Sequence, residues 1–250
     1  MNIKTLIAFS LVAASFVSAT GLLQAQGPPP GPPPAGKAGA PIDLTGTWVR
    51  LVTEDWRFLM VTPPKGDFPG MPLNAEGRKI AMDWDPDKDI AAGNACRAYG
   101  AGAGMRMPGR AKISWENDMA LKIELDAGTQ TRRIYFGNTA PAAGAPSLQG
   151  RSIGTWELQQ ARVRNRTGSL KVVTTNLAMG YIHRNGVPYS EKATITEYFD
   201  LFKEDDGTQY LVVKTIIEDP GYLTGPVITS SNFRKQANDN GWKPTPCEAK

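Results

Sequence analysis

Two charged residues, Glu197 and Lys214, lie on the apolar faces of predicted strands. The residues that share the parity of Glu197 are Ala193, Ile195, Phe199 and Leu201, and those that share the parity of Lys214 are Tyr210, Val212 and Ile216. A turn at Asp206-Gly207 would place the two charged residues nearly opposite each other. A buried charge is costly unless it is paired. The pattern therefore predicts either a cross-strand ion pair that fixes the register or polar anchors in an otherwise apolar pocket.

A polar strand, predicted at 129–137, carries two consecutive arginines. Neighbouring residues of a strand point to opposite faces, so one arginine must face the interior or a rim. We expect Arg133 to face inward and to bind a carboxylate or carbonyl group of a ligand, with Arg132 outside. Two polar residues share the face of Arg133, namely Thr131 and Tyr135. The alternative is an arginine at the strand end that pairs across the hairpin, where the acidic residues are Glu124 and Asp126.

Three residues could carry general acid–base chemistry in such a pocket. Glu197 would act as the base, and Tyr198 or His183, the only histidine, would act as the acid. Arg133 would stabilise a developing oxyanion. The sequence contains no Gly-x-Ser-x-Gly nucleophile motif and no set of three histidines, so we expect neither a cofactor nor a metal ion.

Large apolar side chains are available to line a cavity. Trp56 and Met60 share one parity of a predicted strand. We expect them to form the apolar walls of a ligand site together with Trp115 and Tyr135.

A mainly β fold must position these residues. Apolar and polar residues alternate along most of the chain after residue 45, and turn signals such as Asn185-Gly186 separate the runs. About ten strands must close or stack to protect their edges, which predicts an antiparallel β-barrel with a β-sandwich as the alternative. The predicted strands are 45–54, 56–62, 110–116, 119–126, 129–137, 151–164, 169–176, 192–203, 208–218 and 226–235.

A helical insertion near 73–99 interrupts this pattern. Asn74 is suited to cap a helix that runs to about Asp83. Asp85 followed by Pro86 indicates the start of a second helix, which we expect to run to about Ala98.

Two resemblances follow from short motifs. Gly46-Thr47-Trp48 at the start of the first strand resembles the Gly-x-Trp signature of lipocalins and related calycins, a family in which the tryptophan packs across the closed end of the barrel. The longer pattern resembles a group of uncharacterised exported bacterial proteins, which implies no known activity. The matching segments are 62–67, 126–132, 185–191 and 244–247.

The N-terminal part is predicted to be an export signal and a spacer. Lys4 precedes an apolar run and small-residue cleavage sites, which is typical of a signal peptide over residues 1–25. Residues 26–41 are rich in Pro and Gly and predict an extended linker. We expect residues 42–250 to form one barrel domain. Export favours a disulfide between the two cysteines, Cys96 and Cys247.

Three functions agree with these features. The first is an exported, periplasmic or extracellular, lipocalin-like protein that binds a small, largely apolar molecule with a polar or acidic end. The second is a cofactor-free isomerase, lyase or hydratase. The third is a structural or interaction protein of the envelope. The formal net charge of +4 is too small to indicate nucleic-acid binding, and no segment after the signal is apolar enough to span a membrane. The oligomeric state stays open.

Overall fold

Nine strands form a closed ring of hydrogen-bonded neighbours in the computed structural model, which describes residues 34–159 and 167–249. These strands are β1 (Gly46–Leu51), β2 (Arg110–Asn117), β3 (Ala120–Leu125), β4 (Gln130–Phe136), β5 (Arg151–Gln159), β6 (Thr167–Thr175), β9 (Thr194–Lys203), β10 (Gln209–Glu218) and β11 (Val227–Lys235). Their order around the barrel is β1-β11-β10-β9-β6-β5-β4-β3-β2. The predicted β-barrel is confirmed.

One pair of neighbours departs from the predicted antiparallel arrangement. β4 and β5 are parallel, with Ile134 opposite Ser152. A parallel pair needs a long return connection rather than a hairpin turn. Residues 137–150 supply that connection.

The sequence did not predict a separate small hairpin, formed by β7 (Gly180–His183) and β8 (Val187–Tyr189). It lies between β6 and β9 in the chain. These two barrel strands pair with each other directly, so the hairpin is excluded from the ring.

The helical insertion is confirmed in position and is shorter than predicted. Its helices are α3 (Ala75–Asp83) and α4 (Pro86–Ala91), after the short helices α1 (Gly36–Gly39) and α2 (Trp56–Met60). Asn74 caps α3 and Asp85 caps α4, as predicted. α4 ends well before Ala98, because Gly93 adopts a positive φ of 73° that stops the helix.

The prediction of a strand at 56–62 is wrong. Asp55 has a positive φ of 49°, which turns the chain out of the barrel after β1. The amides of Phe58 and Leu59 then donate to the Asp55 carbonyl at 2.8 and 3.0 Å and begin α2. Apolar residues at alternate positions over so short a run fit one helical turn as well as a strand.

The two ends of the barrel differ. At one end, Trp48 is fully buried, and its indole N–H donates to the Leu44 carbonyl at 2.9 Å. Residues 34–41, within the predicted linker, also contact the barrel, since Gly36 accepts a hydrogen bond from the Trp156 indole at 2.7 Å. The predicted signal peptide and residues 26–33 lie outside the described residues.

At the other end, residues 55–107 and 177–193 form a cap. Its apolar residues, Leu177 and Tyr189 among them, form one buried cluster with the barrel residues Ile195, Ile217 and Val227.

No helix in residues 34–159 or 167–249 is long and apolar enough to cross a membrane.

Candidate functional site

A buried ion pair lies inside the barrel near the cap. Arg132 on β4 and Glu197 on β9 are hydrogen-bonded, with 6% and 0% of their side chains exposed. Arg132 also donates to the hydroxyls of Ser152 at 2.9 Å and Thr174 at 2.8 Å. Those two hydroxyls are 2.8 Å apart. Four strands thus contribute to one polar network inside an otherwise apolar barrel.

Further polar groups lie beside this network on the barrel wall. Glu197 lies opposite Thr215, and Thr215 lies opposite Thr229 on β11. Ser231 is the next inward residue of β11 and is fully buried. Within the described residues, Glu197 Oε1, Thr229 Oγ1 and Ser231 Oγ are buried without a hydrogen-bond partner. An unsatisfied buried polar group costs about 1–3 kcal/mol. Such groups therefore favour a small-molecule ligand, here called the guest, that offers matching donors and acceptors.

The ion pair is not explained by stability alone. Replacing a buried ion pair by well-packed apolar residues is often neutral or stabilising, because removing two charges from water is costly. A barrel interior filled with Leu, Ile and Phe needs no charge to hold it together. Buried charges in a cavity wall are instead typical of a functional site.

The cap covers this network with a glycine-rich loop, residues 100–107. Gly100, Ala101, Gly104 and Met105 line a cavity of about 10 Å³ beside Arg132. That is roughly the space one water molecule requires. A Cβ on Gly102 would lie 2.7 Å from the Tyr189 ring, so only glycine lets the loop pack this closely. The loop must move before anything larger than water can reach Arg132.

Arg133 does not face the interior, and this prediction is wrong. It is exposed and forms a bidentate pair with Glu116, at 2.8 and 2.9 Å. Neither acid of the alternative pairing, Glu124 or Asp126, is its partner. Tyr135 shares its outward parity. The inward arginine is Arg132, because it shares its face with Ile134 and Phe136, which are both buried.

The predicted Glu197–Lys214 pair is also wrong. The inward residues of β10 are Leu211, Val213, Thr215 and Ile217. Lys214 is exposed, lies opposite Tyr198, and places its ammonium group 4.5 Å from the centre of that ring. Tyr198 therefore faces outward while Glu197 faces inward, so the two cannot act together as acid and base.

The predicted apolar walls do not meet in one cavity. Trp56 and Met60 lie on α2, outside the barrel, with 68% and 57% of their surface exposed. Trp115 lies at the Trp48 end, where its ring centre is 5.4 Å from that of Phe136. Their roles in ligand binding stay predictions. Sequence reasoning missed Arg132, Ser152 and Thr174, although Arg132 and Thr174 each share a strand face with buried apolar residues.

His183 lies in the cap, on β7, and is buried. Its ring stacks on Phe58 of α2, with centres 6.0 Å apart. Neither ring nitrogen has a hydrogen-bond partner among the described residues. Burial, and then the neighbouring Arg106 guanidinium, lower the pKa of His183 to about 3. The imidazole is therefore neutral at physiological pH.

His183 is expected to make the protein sensitive to acid. The unfolded chain binds a proton at His183 below about pH 6.5, whereas the folded protein binds it only near pH 3. The free energy of unfolding should therefore fall by about 1.4 kcal/mol per pH unit between these values, and return as pH rises. Urea unfolding at pH 7.5 and 4.5 should show this loss in the wild type and a much smaller loss in His183→Phe. An equal pH dependence in both proteins would contradict the assignment.

The predicted disulfide is confirmed. Cys96 and Cys247 are bonded, and their sequence separation is 151. The bond holds the C-terminal tail beside the start of the glycine-rich loop. The Gln130 side chain contacts both sulfur atoms, and Gln130 also lines the cavity beside Arg132.

Comparisons with known proteins do not assign a family. No family model, curated protein or solved structure matches the chain. The resemblance to lipocalins and to exported bacterial proteins therefore stays a prediction. The described residues contain no group of three His, Cys, Asp or Glu side chains that could hold a metal ion.

Proposed function

We propose that this protein is an exported barrel that binds a small, largely apolar molecule with a polar or acidic end. The observation that carries the proposal is the Arg132–Glu197 pair, buried inside the barrel with Glu197 Oε1 left unbonded among the described residues. The predicted signal peptide supports export. So does the Cys96–Cys247 disulfide, because such bonds form in oxidising compartments.

The polar network suits a guest with a hydroxyl or carbonyl group. Arg132 supplies donors, and its charge is already balanced by Glu197. Glu197 Oε1 can accept a hydrogen bond from a guest, and Ser231 Oγ can donate or accept one. The surrounding wall is apolar, since Ile123, Val172 and Phe199 are buried on the same interior surface.

Binding requires the cap to open, because the cavity beside Arg132 holds only about 10 Å³. The guest would bind to an open conformation of the protein, in which the glycine-rich loop has moved away from Arg132. A guest that binds only this open state shifts the population toward it.

Native mass spectrometry tests the proposal directly. The mature protein, purified gently from the envelope fraction of exporting cells, should carry one small molecule that solvent extraction releases. The double variant Arg132→Met/Glu197→Leu should fold and lose that molecule. The matched surface variant Arg133→Met/Glu116→Leu should keep it. A wild-type protein without any retained molecule, or equal retention in both variants, would contradict binding at this site.

The enzyme and envelope-interaction hypotheses remain predictions. Neither has an observation within the described residues that favours it over binding.

A further inference from the structure

Two buried arginines lie at the mouth of the barrel, where the cap meets β1. Arg50 is the last inward residue of β1, and its side chain is 0% exposed. Arg106 lies in the glycine-rich loop, and its side chain is 4% exposed. Burial lowers the pKa of Arg106, and the charge of Arg50 lowers it further, whereas the Asp55 and Glu54 carboxylates raise it. Two desolvated guanidinium groups that repel each other require anionic partners.

Both anionic partners come from one short surface segment. Glu54 contacts Arg50 at 2.6 Å, and Asp55 contacts Arg106 at 3.2 Å. Unlike the arginines, these carboxylates face water, with 33% and 49% of their side chains exposed. An external carboxylate could make the same bonds to the arginines. Replacing Glu54 or Asp55 with an external carboxylate therefore costs little free energy.

The segment that carries these carboxylates lies over the barrel mouth. It comprises residues 53–61, here called the lid, and includes α2. Phe58 packs on His183, and Leu59 is buried, whereas Val61 remains 66% exposed. Its attachments to the rest of the protein are two apolar side chains, these two ion pairs, a third ion pair between Arg57 and Asp67 at 2.8 Å, and hydrogen bonds from Asn232 to Thr53 and Glu54.

We propose that Arg50 and Arg106 form a carboxylate-binding pocket, and that Glu54 and Asp55 occupy it until the carboxylate of a guest replaces them and opens the lid. The inference rests on the proposed function in that the guest is the molecule the barrel binds. It adds the chemical class of the guest, a carboxylate with an apolar tail. It also adds the route by which the guest enters.

Hydrogen exchange of the lid amides tests this without knowledge of the natural guest. Decanoate at submicellar concentration is the probe, and decanol is its uncharged match. Decanoate should speed exchange of the amides of residues 53–61 by about tenfold, while decanol should leave it unchanged. The variant Glu54→Gln/Asp55→Asn should show the fast exchange of the lid amides without any probe. Its two lost ion pairs are partly exposed and together favour the closed lid over the open one by on the order of tenfold.

The outcomes separate the lid from the interior site. Equal effects of decanoate and decanol, or unchanged lid exchange in Glu54→Gln/Asp55→Asn, would overturn the carboxylate pocket. The same titration in Arg132→Met/Glu197→Leu should still open the lid. A normal lid response in a protein that never retains a guest would support the pocket and contradict only the interior site.

Discussion

Replacing Glu197 with alanine is expected to lower the free energy of unfolding by about 3–5 kcal/mol, the cost of leaving a buried charge without its partner. Arg132 would keep its bonds to Ser152 and Thr174, both neutral hydroxyls. Its positive charge would stay in the barrel with no anion beside it. Urea unfolding at neutral pH measures the loss, and circular dichroism shows whether the variant still folds.

The chain offers a closely matched control. Arg133, one position along β4, pairs with Glu116 of β2 on the outer face of the barrel, where both side chains are exposed. Glu116→Ala should therefore leave the stability almost unchanged, because solvent replaces the lost partner. The double variant Arg132→Met/Glu197→Leu should recover most of the stability lost in Glu197→Ala. A small loss in Glu197→Ala would show that the interior already hydrates Arg132.

The barrel itself could be predicted because each strand carries its own alternation. The pattern around Ile123 or Leu170 depends only on neighbouring residues, and both proved to be buried. The inward arginine could also have been identified. Arg132 shares a strand face with Ile134 and Phe136, whereas the residues on the face of Arg133 are mostly polar. The apolar face of a strand is the one that packs on the core.

Register across a hairpin was harder to predict. β9 and β10 are joined through residues 204–208, which sets Glu197 opposite Thr215 rather than Lys214. A connection shorter by one residue would reverse the faces of the whole strand. Both parities of β10 are apolar, with Val212 and Ile216 on one and Val213 and Ile217 on the other, so the local pattern did not reveal the error.

The cap could not be predicted because its contacts are between distant parts of the chain. Asn185 donates to the carbonyls of Pro64 and Asp67, and Arg106 donates to that of Ile182. No local periodicity encodes these contacts. The candidate site lies where cap and barrel meet, so the part that the cap contributes could not be predicted from the sequence.

The disulfide is the second interaction whose removal should have a large effect. Cys96→Ser/Cys247→Ser is expected to lower the free energy of unfolding by about 3–5 kcal/mol, because the bond closes a long loop and restricts the unfolded chain. The C-terminal tail adds only a few contacts of its own, such as the Thr245 amide to the Asp126 carbonyl at 2.9 Å. Urea unfolding of oxidised and reduced wild type, beside the variant, measures the effect.

A chain truncated after Gly241, with Cys96→Ser, separates the two contributions. If restriction of the unfolded chain dominates, truncation should cost little more than Cys96→Ser/Cys247→Ser, because both proteins lack the same loop closure. If the tail contacts dominate, the truncated protein should be clearly less stable than the full-length variant. A loss below about 1 kcal/mol in the full-length variant would contradict the loop-closure argument. The barrel would then hold the tail and the glycine-rich loop in place without the covalent bond.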